Sequence, residues 1–255
     1  MLCSGELRGT APTSTRPTRS RTSQFNVTST PRPFGRQTLV PPRGAAVAGV
    51  IFSLLTIVGL GLVRYAVPAD LSLPGIWLTE PDRRNAVRFA LNLVPFGGIA
   101  FLWFMGVLRH RLGELEDKFF ATVFLASGLL FVACLFGSAA VMAAMIDSVA
   151  AGSIGNETYY FNRRVSDALL NLFAMKMAGV FMFSTCTIGL RTAIFPRWVA
   201  FLGFACALVL LVVIANWKWI TLIFPIWMLV VSAQILSAEF RSRHAGTAGG
   251  EHHQA

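Results

Sequence analysis

Charge is scarce in this chain: Asp, Glu, Lys and Arg make up only 13% of its 255 residues, and they gather between long apolar stretches. With 55% hydrophobic residues and a mean hydropathy of +0.61, it carries more apolar side chain than a soluble domain of this size buries. A water-soluble globule is thereby excluded. Histidine is scarcer still. His110, His244, His252 and His253 all fall outside the apolar stretches, which rules out paired intramembrane haem ligands, a di-iron histidine cluster and an intramembrane serine–histidine pair. The four cysteines form no CxxC: Cys3 lies near the start, and Cys134, Cys186 and Cys206 each sit inside an apolar run, where they read as small core residues. Neither a glycine-rich phosphate loop nor a Walker sequence occurs, and nothing in the chain calls for a cofactor or a metal.

Six apolar runs remain: Ala45 to Val63, Phe89 to Leu108, Phe119 to Ile146, Ala168 to Leu190, Trp198 to Ala215 and Ile220 to Leu236. Five are free of charge and the fourth contains only Lys176. A helix needs roughly 20 residues to cross a hydrocarbon core about 30 Å thick, so all six are expected to span. Barrel strands would be about 10 residues long with alternating polarity, a pattern absent here. The predicted fold is therefore all-α: a polytopic transmembrane bundle of six helices over residues 44–238. It has basic residues 1–43 before it and a short tail over 239–255 after it, both expected to be disordered.

Counting Lys and Arg on alternate sides of the six runs puts fourteen on the side of both termini and seven on the other. The positive-inside bias then predicts both termini in the cytosol of a plasma membrane, with the loops Arg64 to Arg88 and Asp147 to Asp167 facing outward. The same bias accounts for the net charge of +10. No basic stripe interleaves with aromatics as in a single-strand binder, so nucleic acid is not an expected partner; the lipid bilayer is. Tyr65, Trp198, Trp217 and Trp219 fall at run ends, where amphipathic rings favour the headgroup level. Pro95 and Pro225 lie in runs two and six, which are not equivalent in a three-plus-three arrangement, so the signature of an inverted repeat is missing.

Lys176 stands out because an ammonium within a spanning helix is expensive and defaults to a functional hypothesis. Counted from Ala168 it lies about 12 Å deep, near the level of Ser138 and of the Pro95 to Gly98 region, where Pro95 frees the carbonyl of Leu91. Lys176, Ser138 and Asn92 are accordingly the candidate binding residues, with Lys176 pointing into the bundle toward Ser138, toward carbonyls near Pro95, or toward a polar ligand. Against this stands a structural lysine bonded to carbonyls and Asp147. Asp167 and Asn171, one turn apart, share a helix face that Lys176 does not; Asp167 reads as a helix-start acid beside Arg163 and Arg164. Ala133, Gly137, Ala140 and Ala144 form a small-residue stripe on helix three that would let another helix approach, from this chain or from a partner. Glu114, Glu116 and Asp117, flanked by Arg109, Arg111 and Lys118, read as a solvated turn.

The stretches Phe101-Leu102-Trp103-Phe104, Arg109-x-Arg111-Leu112-Gly113, Glu116-Asp117-Lys118-Phe119-Phe120, Lys176-Met177-Ala178 and Arg191-Thr192-x-x-x-Pro196-Arg197-Trp198 resemble a group of uncharacterised bacterial membrane proteins frequent in actinobacteria. The resemblance covers roughly residues 45–237 and implies a bacterial plasma membrane and a helical bundle, with no activity attached to any residue. Three function classes stay open. A non-catalytic membrane subunit or scaffold is favoured, because it demands no polar constellation. A small transporter or permease with a polar site around Lys176 is the alternative, opposed by the lack of a visible intramembrane carboxylate. A lipid-acting membrane enzyme is the third.

Overall fold

The computed structural model describes residues 43–68, 75–112, 118–150, 155–192, 196–212 and 218–248. It is an all-α bundle. Helix α1 (Arg43–Ala66) leads through a short 3₁₀ turn (Ile76–Leu78) to α2 (Pro81–Leu112) and α3 (Lys118–Ala150). Helix α4 (Asn156–Asp167) passes without a break through a π-helical stretch (Ala168–Ala174) into α5 (Met175–Thr192); α6 (Arg197–Val212) and α7 (Ile223–Ala248) complete the chain. Because α4, the π-stretch and α5 form one rod, there are six rods among the described residues. Five are long and apolar enough to cross a membrane, and α6 is shorter. Its 16 residues reach about 24 Å. Residues 213–215 of the fifth apolar run, the basic N-terminal segment before Arg43 and the turn Glu114, Glu116, Asp117 lie outside the described residues.

The helices satisfy their own backbone groups, as chain in hydrocarbon must. They also turn large apolar side chains outward. Phe96, Trp103, Phe201, Leu208 and Val212 are between 62 and 66% exposed, an arrangement suited to lipid contact. Tyr65, Trp198 and Trp219 are exposed near rod ends, where the sequence placed them. Proline is accommodated as sterics require at two of its positions: Pro81 opens α2 and Pro225 lies in the first turn of α7. Pro95 sits inside α2.

Five rods meet at the middle of the bundle through one phenylalanine each: Phe52 of α1, Phe101 of α2, Phe131 of α3, Phe181 of α5 and Phe224 of α7. Their ring centroids lie 4.8 to 6.2 Å apart in tilted and edge-on arrangements. Every one of these rings is essentially buried. Such pairs prefer offset and edge-to-face geometry because the ring quadrupoles favour it. Glycine allows the closest helix contacts. A Cβ at Gly49 would stand 2.0 Å from Ser232 Oγ, so any larger residue there would force Ser232 of α7 to shift.

Three expected boundaries are corrected, one of them at the C-terminal end, where α7 continues to Ala248 through residues expected to be disordered. Helix α2 begins eight residues before Phe89, and the expected outer loop from Asp147 to Asp167 is mostly helix, since α3 continues to Ala150 and α4 starts at Asn156. The physical reason is amphipathicity outside the apolar run. Tyr159, Arg163 and Ser166, spaced four and three apart, are buried on the bundle, whereas Phe161 and Arg164 face outward. A polar helix end docked on its neighbours needs no continuous apolar run.

Candidate functional site

The extension of α4 moves Asp167 from a helix start to the interior of a spanning rod. Its neighbour Ser166 meets Ser138 of α3: the two hydroxyls are 2.9 Å apart, and each also donates to the other's backbone carbonyl, at 2.9 and 3.0 Å. Ser138 precedes Asp147 by nine residues on α3, so this contact lies about 13 Å inside the level of Asp147. Asp167 therefore falls within a rod long and apolar enough to cross a membrane, Asn156–Arg191.

Around it is a partly enclosed cavity of about 120 Å³ between α1, α2, α3 and the α4–π segment. One buried water needs roughly 10 to 15 Å³ on this measure, so there is room for several waters or a small organic solute. Leu60, Leu91, Val94, Leu135, Met142 and Leu170 supply apolar walls. Polar groups converge from three helices: Thr56 and Arg64 from α1, Ser138 from α3, and Arg163, Ser166, Asp167 and Asn171 from the α4–π segment. Asn171 donates from Nδ2 to Asp167 Oδ1 at 2.6 Å, confirming that these two share a face. Arg163, 6% exposed, donates to the carbonyl of Pro68, and Arg64 Nη2 approaches Thr221 Oγ1 of the α7 entry at 3.4 Å. Asp167 and Arg163 are charged neighbours of Arg64. Two guanidinium groups and one carboxylate leave the described lining with one net positive charge, in a setting where low polarity strengthens every charge–charge term.

The π-stretch begins directly after Asp167. A wide turn of this kind inserts an extra residue into the helical register, and such turns recur at functional positions. Here it separates two regimes of the same rod, the polar cavity before it and the apolar core after it.

The three residues singled out from sequence go to three different places. Ser138 lines the cavity. Asn92 donates from Nδ2 to the carbonyl of Arg88 at 2.9 Å and borders a separate lateral groove between α2 and α3. Lys176 does not reach toward Ser138, Pro95 or Asp147; its Nζ donates to the carbonyls of Leu210 and Leu211 at 3.0 and 2.6 Å. Those carbonyls belong to the last described turn of α6. Lys176 thus ties α5 to α6, and Asp147 pairs instead with Arg88 at 2.9 Å. The depth estimate failed because it was counted from Ala168. Ser138 is level with Ser166, ten residues and about 15 Å before Lys176 along the rod.

Arg64, Arg163 and Asp167 were missed as site residues because each reads as a loop or helix-end charge. A signal was present in the spacing Tyr159, Arg163, Ser166, which follows one helix face up to the start of the apolar run. Of the small-residue stripe, Gly137 faces Leu169, whereas Ala133, Ala140 and Ala144 are exposed on the outside of the bundle. Among the described residues no group of three or more His, Cys, Asp or Glu is placed to hold a metal. Cys186 is in the core, with Cys134 and Cys206 packed against it.

These features define a polytopic helical membrane protein with a charged cavity within the bundle. Comparison with protein-family models, curated proteins and solved structures yields no match.

Proposed function

We propose that the chain is a multi-pass protein of a bacterial plasma membrane that binds a small polar solute in the Arg64, Arg163, Asp167 cavity, as a permease or channel-like protein does. The observation that carries this reading is Asp167 itself. The scaffold reading drew its strength from the lack of a polar constellation, and the transporter reading was opposed by the lack of an intramembrane carboxylate. Both reasons fall with a carboxylate and two guanidinium groups about a cavity that accommodates a ligand. Charge within a spanning bundle is costly, so three charged groups on one cavity point to use rather than accident. The asymmetry of Lys and Arg supports cytosolic termini, which sets the cavity in the outward half.

The test is thermal unfolding of the detergent-purified protein against a panel of small carboxylates, amino acids and inorganic phosphate. A ligand at 100 times its Kd stabilises by about 2.7 kcal/mol, which a melting curve detects readily. A saturable shift in the wild type that is absent from Asp167→Asn, each variant measured against its own ligand-free curve, is the expected result. A shift that survives in Asp167→Asn would locate binding elsewhere. A subunit role has one observation in its favour, the exposed Ala133, Ala140 and Ala144; it predicts that another protein co-purifies stoichiometrically and that no solute shifts the curve.

A further inference from the structure

Independently of the central cavity, a second concavity opens between α2 and α3 on the outside of the bundle, with a volume of about 670 Å³. That lies within the range of roughly 300 to 1,000 Å³ typical of sites for small organic ligands. One end is polar: Arg88, Asn92 and Asp147 line it, with the Arg88 guanidinium 2.9 Å from Asp147 Oδ1. Both side chains remain open to the surroundings, 47 and 73% exposed. The rest is apolar, lined by Pro95, Phe136, Ala140 and Ala143 among others. From Asp147 to Phe136 the groove follows α3 for eleven residues, about 16 Å. It closes where the Phe136 ring covers α2, so near that a Cβ on Gly98 would stand 2.4 Å from it.

We infer that this groove is a specific seat for one zwitterionic phospholipid. The charge pattern names the occupant. A headgroup carrying a phosphate and an ammonium is the mirror of the Arg88–Asp147 pair, with the phosphate taken by the guanidinium and the ammonium by the carboxylate. Phosphate and carboxylate geometry both suit an arginine fork. The apolar channel beneath that pair lies at hydrocarbon depth and receives an acyl chain. The alanines keep the channel open, since larger side chains at 140 and 143 would fill it. Among the described residues only Leu91, Val94 and Ala139 line both this groove and the central cavity, so the seated chain would lie against the cavity's outer wall.

The experiment is native mass spectrometry of the full chain released from nanodiscs of equimolar phosphatidylethanolamine and phosphatidylglycerol. One phosphatidylethanolamine retained per chain is expected. Ala140→Trp and Ala143→Trp, which fill the channel from the lipid-facing side, should each reduce the lipid-bound fraction about tenfold. Asp147→Asn should shift the retained lipid toward phosphatidylglycerol, because the ammonium partner is gone and the guanidinium remains. Retention unchanged by either tryptophan overturns the proposal. So does a wild-type spectrum dominated by a two-chain species that Ala140→Trp dissociates, which would assign the groove to a second copy. Melting curves of the same variants confirm that they are folded.

Discussion

Helices α1, α2 and α3 build two unlike regions. Midway along them, Phe52, Phe101 and Phe131 meet Phe181 and Phe224 in a layer of buried rings. Toward the Arg64 end the same helices leave a cavity of about 120 Å³ edged by Arg64, Ser138 and Asp167. In lipid there is little hydrophobic drive between helices, so association rests on van der Waals packing and interhelical hydrogen bonds. The phenylalanine layer supplies that packing at the centre, which leaves the cavity region to carry charge and empty space. Stability and a ligand-ready site are held by different segments of the same rods.

The sharpest way to break this division is Phe101→Ala. Phe101 lies within 6 Å of four other rings in the layer, and the truncation should cost about 3 to 5 kcal/mol, read as a large fall in melting temperature. Lys176→Met comes next. It leaves the Leu210 and Leu211 carbonyls without this donor and should destabilise by about 1 to 3 kcal/mol while the solute-dependent shift persists. Loss of that shift would return Lys176 to the site. Trp77→Phe probes the packing of the 3₁₀ turn against α4. Trp77, 1% exposed, donates from Nε1 to Tyr159 Oη at 3.1 Å, and loss of that bond should cost about 1 kcal/mol, with faster amide exchange in α4 and not in α7. The smallest effect belongs to Glu80→Gln, which removes the exposed pair to Arg83. Less than about 1 kcal/mol is expected, diminishing further with salt.

Much of the fold was legible because apolar length is a local property. Five of the six apolar runs became rods long enough to cross, the fifth run gave the shorter α6, and Tyr65, Trp198 and Trp219 came out exposed near rod ends, Trp217 lying outside the described residues. Asn156–Asp167 was not legible as part of a rod by that criterion, since it is polar and helical only through its docked face. Within the site, the pairing of Asp167 with Asn171 was readable from a spacing of four, and Ser138 was picked out as polar at depth. Its partner Ser166, and the arginines beside it, were not.

Composition and run length by themselves determined that this chain is a helical membrane protein, because the thickness of hydrocarbon sets how many apolar residues a span requires and the backbone admits helices there. Which helices became neighbours was decided only in three dimensions. That choice sent Lys176 to the carbonyls of α6 and set Arg64 of α1 beside Asp167, since a side chain's partner across a bundle depends on packing between distant segments and not on the residues next to it in sequence.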